Sequence, residues 1–206
     1  MIYLLKPSFS KDWPGGNLFK DKPDGPQYIA PRKPLDHGRL SPKIVSEIKE
    51  CWLTATASSD CLPHFLKLPT RSAQFFGFVD KEVAQLIEEL DPDLHQTIEL
   101  RNIWSTADKS NISGYFAINI FDFADTVNLE LSKINDRKMD PSGSGRELVA
   151  INIMVPENCV VNGRSQGDRN IWRDYETRHI FCSQEFRDRS LAIGVEEVEF
   201  METTVI

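Results

Sequence analysis

Residues 178–206 constrain the fold most, because they combine two strands with a helix whose two ends are both marked. The stretch RHIFC predicts a strand, and Ser183 directly after it is a favourable N-cap for a helix over QEFRDRSLAI. Gly194 is typical of the residue that ends a helix, and VEEVEFMETTV follows as a second strand. The end of the chain is therefore predicted to be a strand–helix–strand unit.

Two further helices are predicted upstream. The first begins at Pro42, with Ser41 as its N-cap, and runs to about Trp52. The second has Asp80 as its N-cap and stops at Asp91. The apolar residues of the two helices recur at helical spacing, which predicts their buried faces. These residues are Ile44, Ile48 and Cys51 in the first helix and Val83, Leu86, Ile87 and Leu90 in the second.

Most other segments with an apolar pattern are too short for helices and alternate like strands. The predicted strands are MIYLLKPSFS, HQTIELRNIW, GYFAINIFDF, ELVAINIMVP and NCVVNGRS, the last with a turn at Asn162-Gly163. GYFAINIFDF is apolar on both faces, which favours a central position in a sheet. Three stretches are predicted as loops: the segment from Ser110 to Gly114, MDPSGSGRE and QGDRNIWRDYE.

This order of strands and helices has no regular alternation, which predicts an α+β fold with a largely antiparallel sheet and a few packed helices. A regular parallel α/β fold is the less favoured alternative. Nine of the 12 prolines precede residue 72, many within WPGGNLFKDKPDGPQYIAPRKP. We therefore expect residues 1–71 to form an extended, turn-rich, Pro/Gly-rich segment packed on an α+β domain of residues 72–206.

The charge of the chain is uneven. Residues 1–71 carry 11 Lys and Arg against 7 Asp and Glu, a net charge of +4, whereas the remaining residues carry −11 of the total of −7. An acidic chain is a poor match for nucleic acid, whose binding needs basic surface, but it suits a basic protein partner. No long apolar run predicts a membrane span, and the apolar start MIYLLKPSFS is too short for a secretory signal. A cytoplasmic location is expected.

The sequence contains no recognisable catalytic, metal or cofactor motif. The four cysteines form no CxxC, and the four histidines are isolated, so we expect free thiols and no metal. GxSxG, HExxH and GxGxxG are absent, and SGSGRE lacks the Lys-Ser/Thr of a phosphate-binding loop. No cofactor is expected.

Two groups of residues nevertheless deserve a chemical interpretation. Cys182 lies at a predicted helix start near His179, a setting that can activate a thiol. On a strand, however, these two side chains point to opposite faces, so a buried structural thiol is favoured. The second group, Asp122, Asp125 and Glu130, offers oxygens for a metal or for acid–base chemistry. The favoured alternative is that Asp125 caps a turn after a strand.

Two acidic regions are better candidates for binding a partner. In QGDRNIWRDYE, aromatic side chains stand among carboxylates on a predicted exposed loop, as is common at protein interfaces. Its candidate residues are Asp168, Trp172, Asp174, Tyr175 and Glu176. An equally favoured alternative is that Trp172 packs onto the core. Further acidic groups are Glu196, Glu197, Glu199 and Glu202, and Glu88, Glu89, Asp91 and Asp93. These are either solvated faces or surfaces that steer a basic partner.

Three stretches together resemble a bacterial immunity-protein family, number eleven in the catalogue of polymorphic-toxin systems and earlier a domain of unknown function. They are YFAINIFDFADTVNLELSKI, the NG turn with IWR, and IFCSQEFRDRSLAIGVEEVEF. The positions that match the family pattern are Asp125, Leu129, Ser132, Ser183, Gly194, Val195 and Phe200, and the resemblance covers residues 75–203. The segment between the glycine and the phenylalanine is longer than in that pattern.

The resemblance implies a cytoplasmic protein that binds and neutralises a toxin made by the same cell or its kin. It transfers no catalytic residues. Our first hypothesis is therefore a non-catalytic immunity protein that forms a tight complex with a cognate toxin domain, and the acidic charge of the chain favours a basic partner. The alternatives are a Cys-dependent or toxin-reversing enzyme and a structural adaptor domain.

Overall fold

The structure is a computed structural model in which part of the chain is described. The described residues are 1–8, 16–19, 38–56, 58, 60, 62–67, 76–139, 147–152 and 155–206. They form three helices and several mostly antiparallel sheets, so the α+β class predicted from the sequence is confirmed. The predicted boundary at residues 71/72 and most of the loop MDPSGSGRE lie outside the described residues.

The three helices lie where the sequence places them. They are α1 (Pro42–Glu50), α2 (Lys81–Leu90) and α3 (Gln184–Ala192). Each begins after a residue whose side chain accepts a hydrogen bond from a backbone N–H of the first turn. The caps are Ser41 to Ile44, Asp80 to Val83 and Ser183 to Phe186, at 3.4, 2.9 and 3.1 Å. After α3, Gly194 has a φ of +92°, a left-handed conformation that favours glycine.

The strands are short and numerous. In chain order they are β1 (Ile2–Pro7), β2 (Gly16–Phe19), β3 (Trp52–Ala55), β4 (Phe65–Lys67), β5 (Phe76–Asp80), β6 (His95–Glu99), β7 (Asn102–Ser105), β8 (Ser110–Ile112), β9 (Tyr115–Ile120), β10 (Phe123–Ala124), β11 (Ile134–Met139), β12 (Glu147–Ile151), β13 (Val160–Val161), β14 (Ile171–Asp174), β15 (Ile180–Ser183), β16 (Val198–Glu202) and β17 (Thr204–Val205).

The strands form five sheets within the described residues. A five-stranded sheet has the order β10-β14-β15-β1-β16, and two four-stranded sheets have the orders β4-β5-β9-β6 and β2-β3-β7-β8. The pairs β11-β12 and β13-β17 form separate two-stranded sheets. The pairing is antiparallel except for β3 with β7, β10 with β14 and β13 with β17. Strand β9 lies between β5 and β6, which confirms its predicted central position.

The five-stranded sheet is buried on both faces. Along β1, Tyr3 and Leu5 belong to one apolar cluster, together with residues of α2, α3 and the sheet that contains β9. Ile2 and Leu4 point to the opposite face and join a second cluster around Trp172. A third cluster lies between α1, β3 and β7. Two-sided burial of β1 explains the unbroken apolar run at the start of the sequence.

Several predicted elements differ from the structure. HQTIELRNIW is two strands, β6 and β7, that belong to different sheets, because the chain turns after the buried Leu100 and exposes Arg101. Ser110–Ile112 is the edge strand β8, where a loop was predicted. QGDRNIWRDYE was also predicted as a loop, yet it contains β14, all four residues of which are buried.

The end of the chain is held against the turn at Asn162-Gly163. Gly163 N–H donates to the carbonyl of Ile206, and Ile206 N–H donates to the carbonyl of Val161, both at 3.0 Å. A Cβ atom at Gly163 would lie 2.9 Å from Cγ1 of Val205 and 3.3 Å from the carbonyl oxygen of Ile206. The glycine is therefore required by the close approach of β17. No helix among the described residues is long and apolar enough to cross a membrane.

Candidate partner-binding surface on the five-stranded sheet

The predicted partner-binding residues fall into two groups on the same sheet. One group lies on and around β14, and the other lies on and just before β16. Three strand spacings separate β14 from β16, which corresponds to roughly 14 Å. The two groups therefore do not form one continuous patch, and each has its own environment.

Trp172 is the bulkiest residue of the β14 group, and it is fully buried. Its ring stacks on Phe181 of β15 with 6.3 Å between centroids. Its indole Nε1–H donates a 2.7 Å hydrogen bond to Oγ1 of the buried Thr126. The alternative in which Trp172 packs onto the core is therefore the one found, and its side chain is not available at the surface.

Asp174, at the end of β14, is also fully buried and accepts five hydrogen bonds. Oδ2 accepts from the backbone N–H groups of Thr126 and Val127, both at 2.9 Å. Oδ1 accepts from Glu176 N–H at 3.1 Å, Thr177 N–H at 2.7 Å and Thr177 Oγ1–H at 2.8 Å. Asp174 therefore caps two chain segments at once, the turn after β10 and its own turn.

The sequence suggested that Asp125 caps the turn after the strand, but the acceptor for the backbone N–H groups of Thr126 and Val127 in that turn is Asp174, and Asp125 is exposed. The spacing of Asp174 and Thr177 in DYET is a local signal for such a turn, which sequence reasoning did not use. Among the other predicted residues of this group, Asp168 is exposed and Tyr175 and Glu176 are half-buried.

A third carboxylate, Asp91, was predicted to belong to an acidic surface, and this is wrong because it is buried. It accepts hydrogen bonds from the backbone N–H groups of Asn170 and Ile171, the latter at 2.7 Å. His95 Nε2 lies 3.5 Å from Asp91 and 2.9 Å from the carbonyl oxygen of Ile171. Burial acts to raise the pKa of Asp91, but the hydrogen bonds and His95 outweigh it, so the pKa lies below its ordinary value of 3.8. Asp91 thus joins the end of α2 to the start of β14.

The β16 group is open to solvent in comparison. The side chain of Glu199 is 52% exposed, and its partner is the buried Lys6 of β1, at 3.1 Å. Glu196 and Glu202 are exposed, and Glu197 is half-buried. Glu197 Oε1 accepts a 3.2 Å hydrogen bond from the backbone N–H of His64. We refer to Glu196, Glu197, Glu199 and Glu202 together as the acidic edge.

The acidic edge continues onto the start of α2 through His64. His64 Nδ1 lies 2.8 Å from Oδ2 of Asp80, the N-cap of α2. Ligand atoms of His64, Asp80 and Glu82 lie within 4.8 Å of one another, so among the described residues these three could approach a metal ion together. Both oxygens of Asp80 are already engaged, by Val83 N–H and by His64, and a helix N-terminus disfavours a cation. The arrangement fits a helix cap better than a metal site.

The structure also places the candidate nucleophile. Cys182 is fully buried, and burial raises the pKa of its thiol well above the ordinary value of 9.0, although Arg187 acts in the opposite direction. Ile180 and Cys182 belong to one apolar cluster and Phe181 to the other, as expected of alternating side chains on a strand. A thiol held neutral in a core has no nucleophilic role at neutral pH.

The carboxylates of the FDFADTVNLELS stretch are dispersed. Asp122 pairs with Arg169, with Nε at 2.5 Å from Oδ2, whereas Asp125 and Glu130 are exposed. In the described parts of the chain, these three residues are not among the groups whose ligand atoms converge.

Fold and site together define an α+β protein whose candidate functional feature is an exposed acidic sheet edge. Residues 74–205 match the family described as the Immunity protein family (Imm11). This match spans well over half of the chain, and the protein belongs to that family. The family indicated by the resemblance over residues 75–203 is thereby confirmed. A search of curated proteins found no match.

Proposed function

We propose that this protein is a non-catalytic immunity protein that neutralises a cognate bacterial toxin by forming a tight protein–protein complex. The observation that carries the proposal is the family match over residues 74–205. In this proposal the protein acts in the cytoplasm, in a polymorphic-toxin system of bacterial competition, and protects the cell from a toxin made by itself or its kin.

The environment of Cys182 supports inhibition by binding over catalysis. Enzymatic reversal of a toxin through a cysteine requires an accessible thiolate. The one cysteine that the sequence offered for this role is buried and has a raised pKa. Cys159 is also buried, and burial together with Asp174 raises its pKa to about 12.

The charge distribution supports a basic partner. Residues 72–206 carry a net charge of −11, and part of this charge lies exposed on the acidic edge. Complementary charge accelerates encounter and disfavours wrong partners. We assign partner contact to Glu196, Glu197 and Glu199. Asp168, Tyr175 and Glu176 form the alternative surface, which competes with this assignment.

The test is the growth of cells that express the toxic domain encoded beside this gene, with and without this protein, followed by copurification. Rescue with a stable stoichiometric complex is the expected result. An inhibitor of this kind should bury roughly 1,200 Å² or more in the complex. Rescue without a complex would contradict inhibition by binding and favour the enzymatic alternative. Absence of rescue, with no heat of binding at micromolar concentrations in titration calorimetry, would contradict the immunity function for that toxin.

A further inference from the structure

Strand β16 is the outermost strand of the five-stranded sheet on the side of the acidic edge. It pairs with β1 on one side, and within the described residues no strand pairs with its other side. We propose that β16 is the docking strand for the toxin, which adds an extended basic segment of its own to this open edge. The inference rests on the proposed function and names the element and the binding mode.

The hydrogen-bond pattern shows which backbone groups are available. Ser8 N–H donates to the carbonyl of Glu197, and Thr203 N–H donates to the carbonyl of Ile2. Because bonded and non-bonded pairs alternate along an antiparallel ladder, Glu199 and Met201 also bond to β1. The N–H and C=O groups of Val198, Phe200 and Glu202 therefore point to the open side.

Proline supports the same assignment. Pro7 of β1 lies opposite Val198, which is a non-bonded position in this register. Proline has no N–H to donate, so its presence there costs the ladder nothing. Val198 is buried, with 5% of its surface exposed, so the open edge of β16 presents two residues, Phe200 and Glu202, whose backbone donors and acceptors can bond to an added strand.

The side chains along this edge select a basic partner. Glu199 forms an ion pair with Lys6, whereas within the described residues Glu202 forms no ion pair. Glu197 uses Oε1 for His64, and its buried Oε2 has no hydrogen-bond partner in the described part of the molecule. A strand that carries Lys or Arg would neutralise these carboxylates while its backbone completes the ladder.

Two other edge strands, β11 and β6, are less suitable. The charged side chains of β11 are paired within or beside its own hairpin, Arg137 with Glu147 at 3.3 Å and Lys138 with Asp136 at 2.9 Å. The edge strand β6 is contacted by α1, and Gln96 of β6 exchanges hydrogen bonds with the backbone of Leu40. Charged side chains on an edge strand disfavour pairing with other strands. A strand of opposite charge does not meet this repulsion, so the acidic edge selects a basic strand.

A second copy of this protein is the competing occupant of β16. An antiparallel β16–β16 pair would bring the glutamates of two acidic edges close together, and like charges across a ladder are destabilising. In the free protein, β16 is therefore not expected to pair with β16 of a second copy. Sedimentation that shows a dimer, lost on Glu202→Pro substitution, would identify self-association as the role of the edge and overturn the proposal.

The most specific test is amide hydrogen exchange followed by NMR, with and without the co-encoded toxin domain. In the free protein, the amides of Phe200 and Glu202 should exchange fast, and those of Glu199 and Met201 should be protected by their bonds to β1. In the complex, Phe200 and Glu202 should become protected as well. A complex that forms while these two amides remain unprotected would overturn strand addition.

Matched variants test the charge. Glu202→Lys should weaken toxin binding by about tenfold or more, because the reversed charge opposes a basic strand. The control is Glu99→Lys, which makes the same change on an exposed position of the edge strand β6 and should leave affinity unchanged. Equal affinities of the two variants would contradict the proposal.

A proline variant tests the backbone. Glu202→Pro removes a donor from the open side without removing a bond to β1, and it should weaken binding about tenfold, whereas Glu202→Gln keeps the donor. Binding by Glu202→Pro as tight as by Glu202→Gln would overturn strand addition. If the wild-type protein neither binds nor protects, the proposed function fails. If the wild-type protein binds the toxin and only the variant and exchange results differ from expectation, the assignment of β16 as the docking strand is wrong and the proposed function stands.

Discussion

The carboxylates around β14 and those along β16 have the same chemistry and belong to the same sheet, yet their surroundings are opposite. Asp91 and Asp174 are buried and are surrounded by backbone N–H donors. Glu199 and Glu202 are exposed on the outermost strand. The first pair holds chain segments together, whereas the second pair lies at the surface, where Glu199 is paired with Lys6.

This difference shows that the number of donors around a carboxylate indicates its role better than acidity in the sequence does. A buried carboxylate that accepts several N–H bonds replaces the water it has lost, and its removal leaves those donors unsatisfied. An exposed glutamate remains hydrated, so its replacement changes recognition while the fold is retained. The following substitutions test this contrast, from the largest expected effect to the smallest.

Asp174→Ala should lower the free energy of unfolding by about 4 kcal/mol, because it leaves several buried N–H groups without an acceptor. Urea denaturation followed by circular dichroism would measure the loss. Asp168→Ala, a few residues away and exposed, is the matched control and should stay within about 0.5 kcal/mol of the wild type. A loss of less than 1 kcal/mol for Asp174→Ala would show that the hydrogen bonds accepted by Asp174 contribute little to stability.

Asp91→Asn should cost about 2 kcal/mol near pH 7, and this cost should depend on pH. Since the pKa of Asp91 in the folded protein lies below 3.8, its stabilising effect is present above the pKa of the unfolded chain. The effect is lost as the pH falls through the folded pKa. Denaturation at several pH values should therefore show that the free energies of unfolding of the two proteins converge below pH 4. The free energy of the variant should change less with pH than that of the wild type. A gap that widens toward acid pH would contradict the assignment.

Trp172→Phe should destabilise the protein by about 1 to 2 kcal/mol, since it removes the indole N–H bond to Thr126 and leaves space behind the smaller ring. The same substitution in a Thr126→Val background should cost less, because the hydroxyl is already absent. Equal costs in the two backgrounds would show that the hydrogen bond between the two side chains contributes nothing measurable.

Glu202→Lys should change the free energy of unfolding by less than about 0.5 kcal/mol, since the side chain is exposed and forms no ion pair in the described residues. Thermal and urea unfolding of the free protein would measure the change. A loss as large as that of Asp91→Asn would mean that the acidic edge supports the fold.

The elements with strong local signals could be predicted from the sequence. Ser41, Asp80 and Ser183 are N-caps in the structure as expected, and the α+β class followed from the order of the elements. Local sequence left the burial of Trp172 open and placed Asp174 on an exposed loop. Their polar neighbours in QGDRNIWRDYE are typical of a loop, and their partners at Thr126 and Val127 lie more than 40 residues away.

The position of β16 at the edge of its sheet also could not be predicted from the sequence. The alternation of VEEVEFMETTV predicts a strand, but whether that strand lies inside a sheet or at its edge depends on long-range pairing. The structure pairs it with β1, almost 200 residues earlier, and on one side only among the described strands. Composition therefore identified an acidic region, and topology identified which part of it remains exposed.

The most direct measurement is the affinity of the co-encoded toxin domain for two charge-reversed proteins, Glu202→Lys at the edge and Asp168→Lys near β14. Both positions are exposed, and both variants change the net charge equally. The account predicts at least about tenfold weaker binding for Glu202→Lys and affinity close to that of the wild type for Asp168→Lys. Weaker binding of Asp168→Lys, with Glu202→Lys unchanged, would place the partner at the opposite side of the sheet and contradict the account.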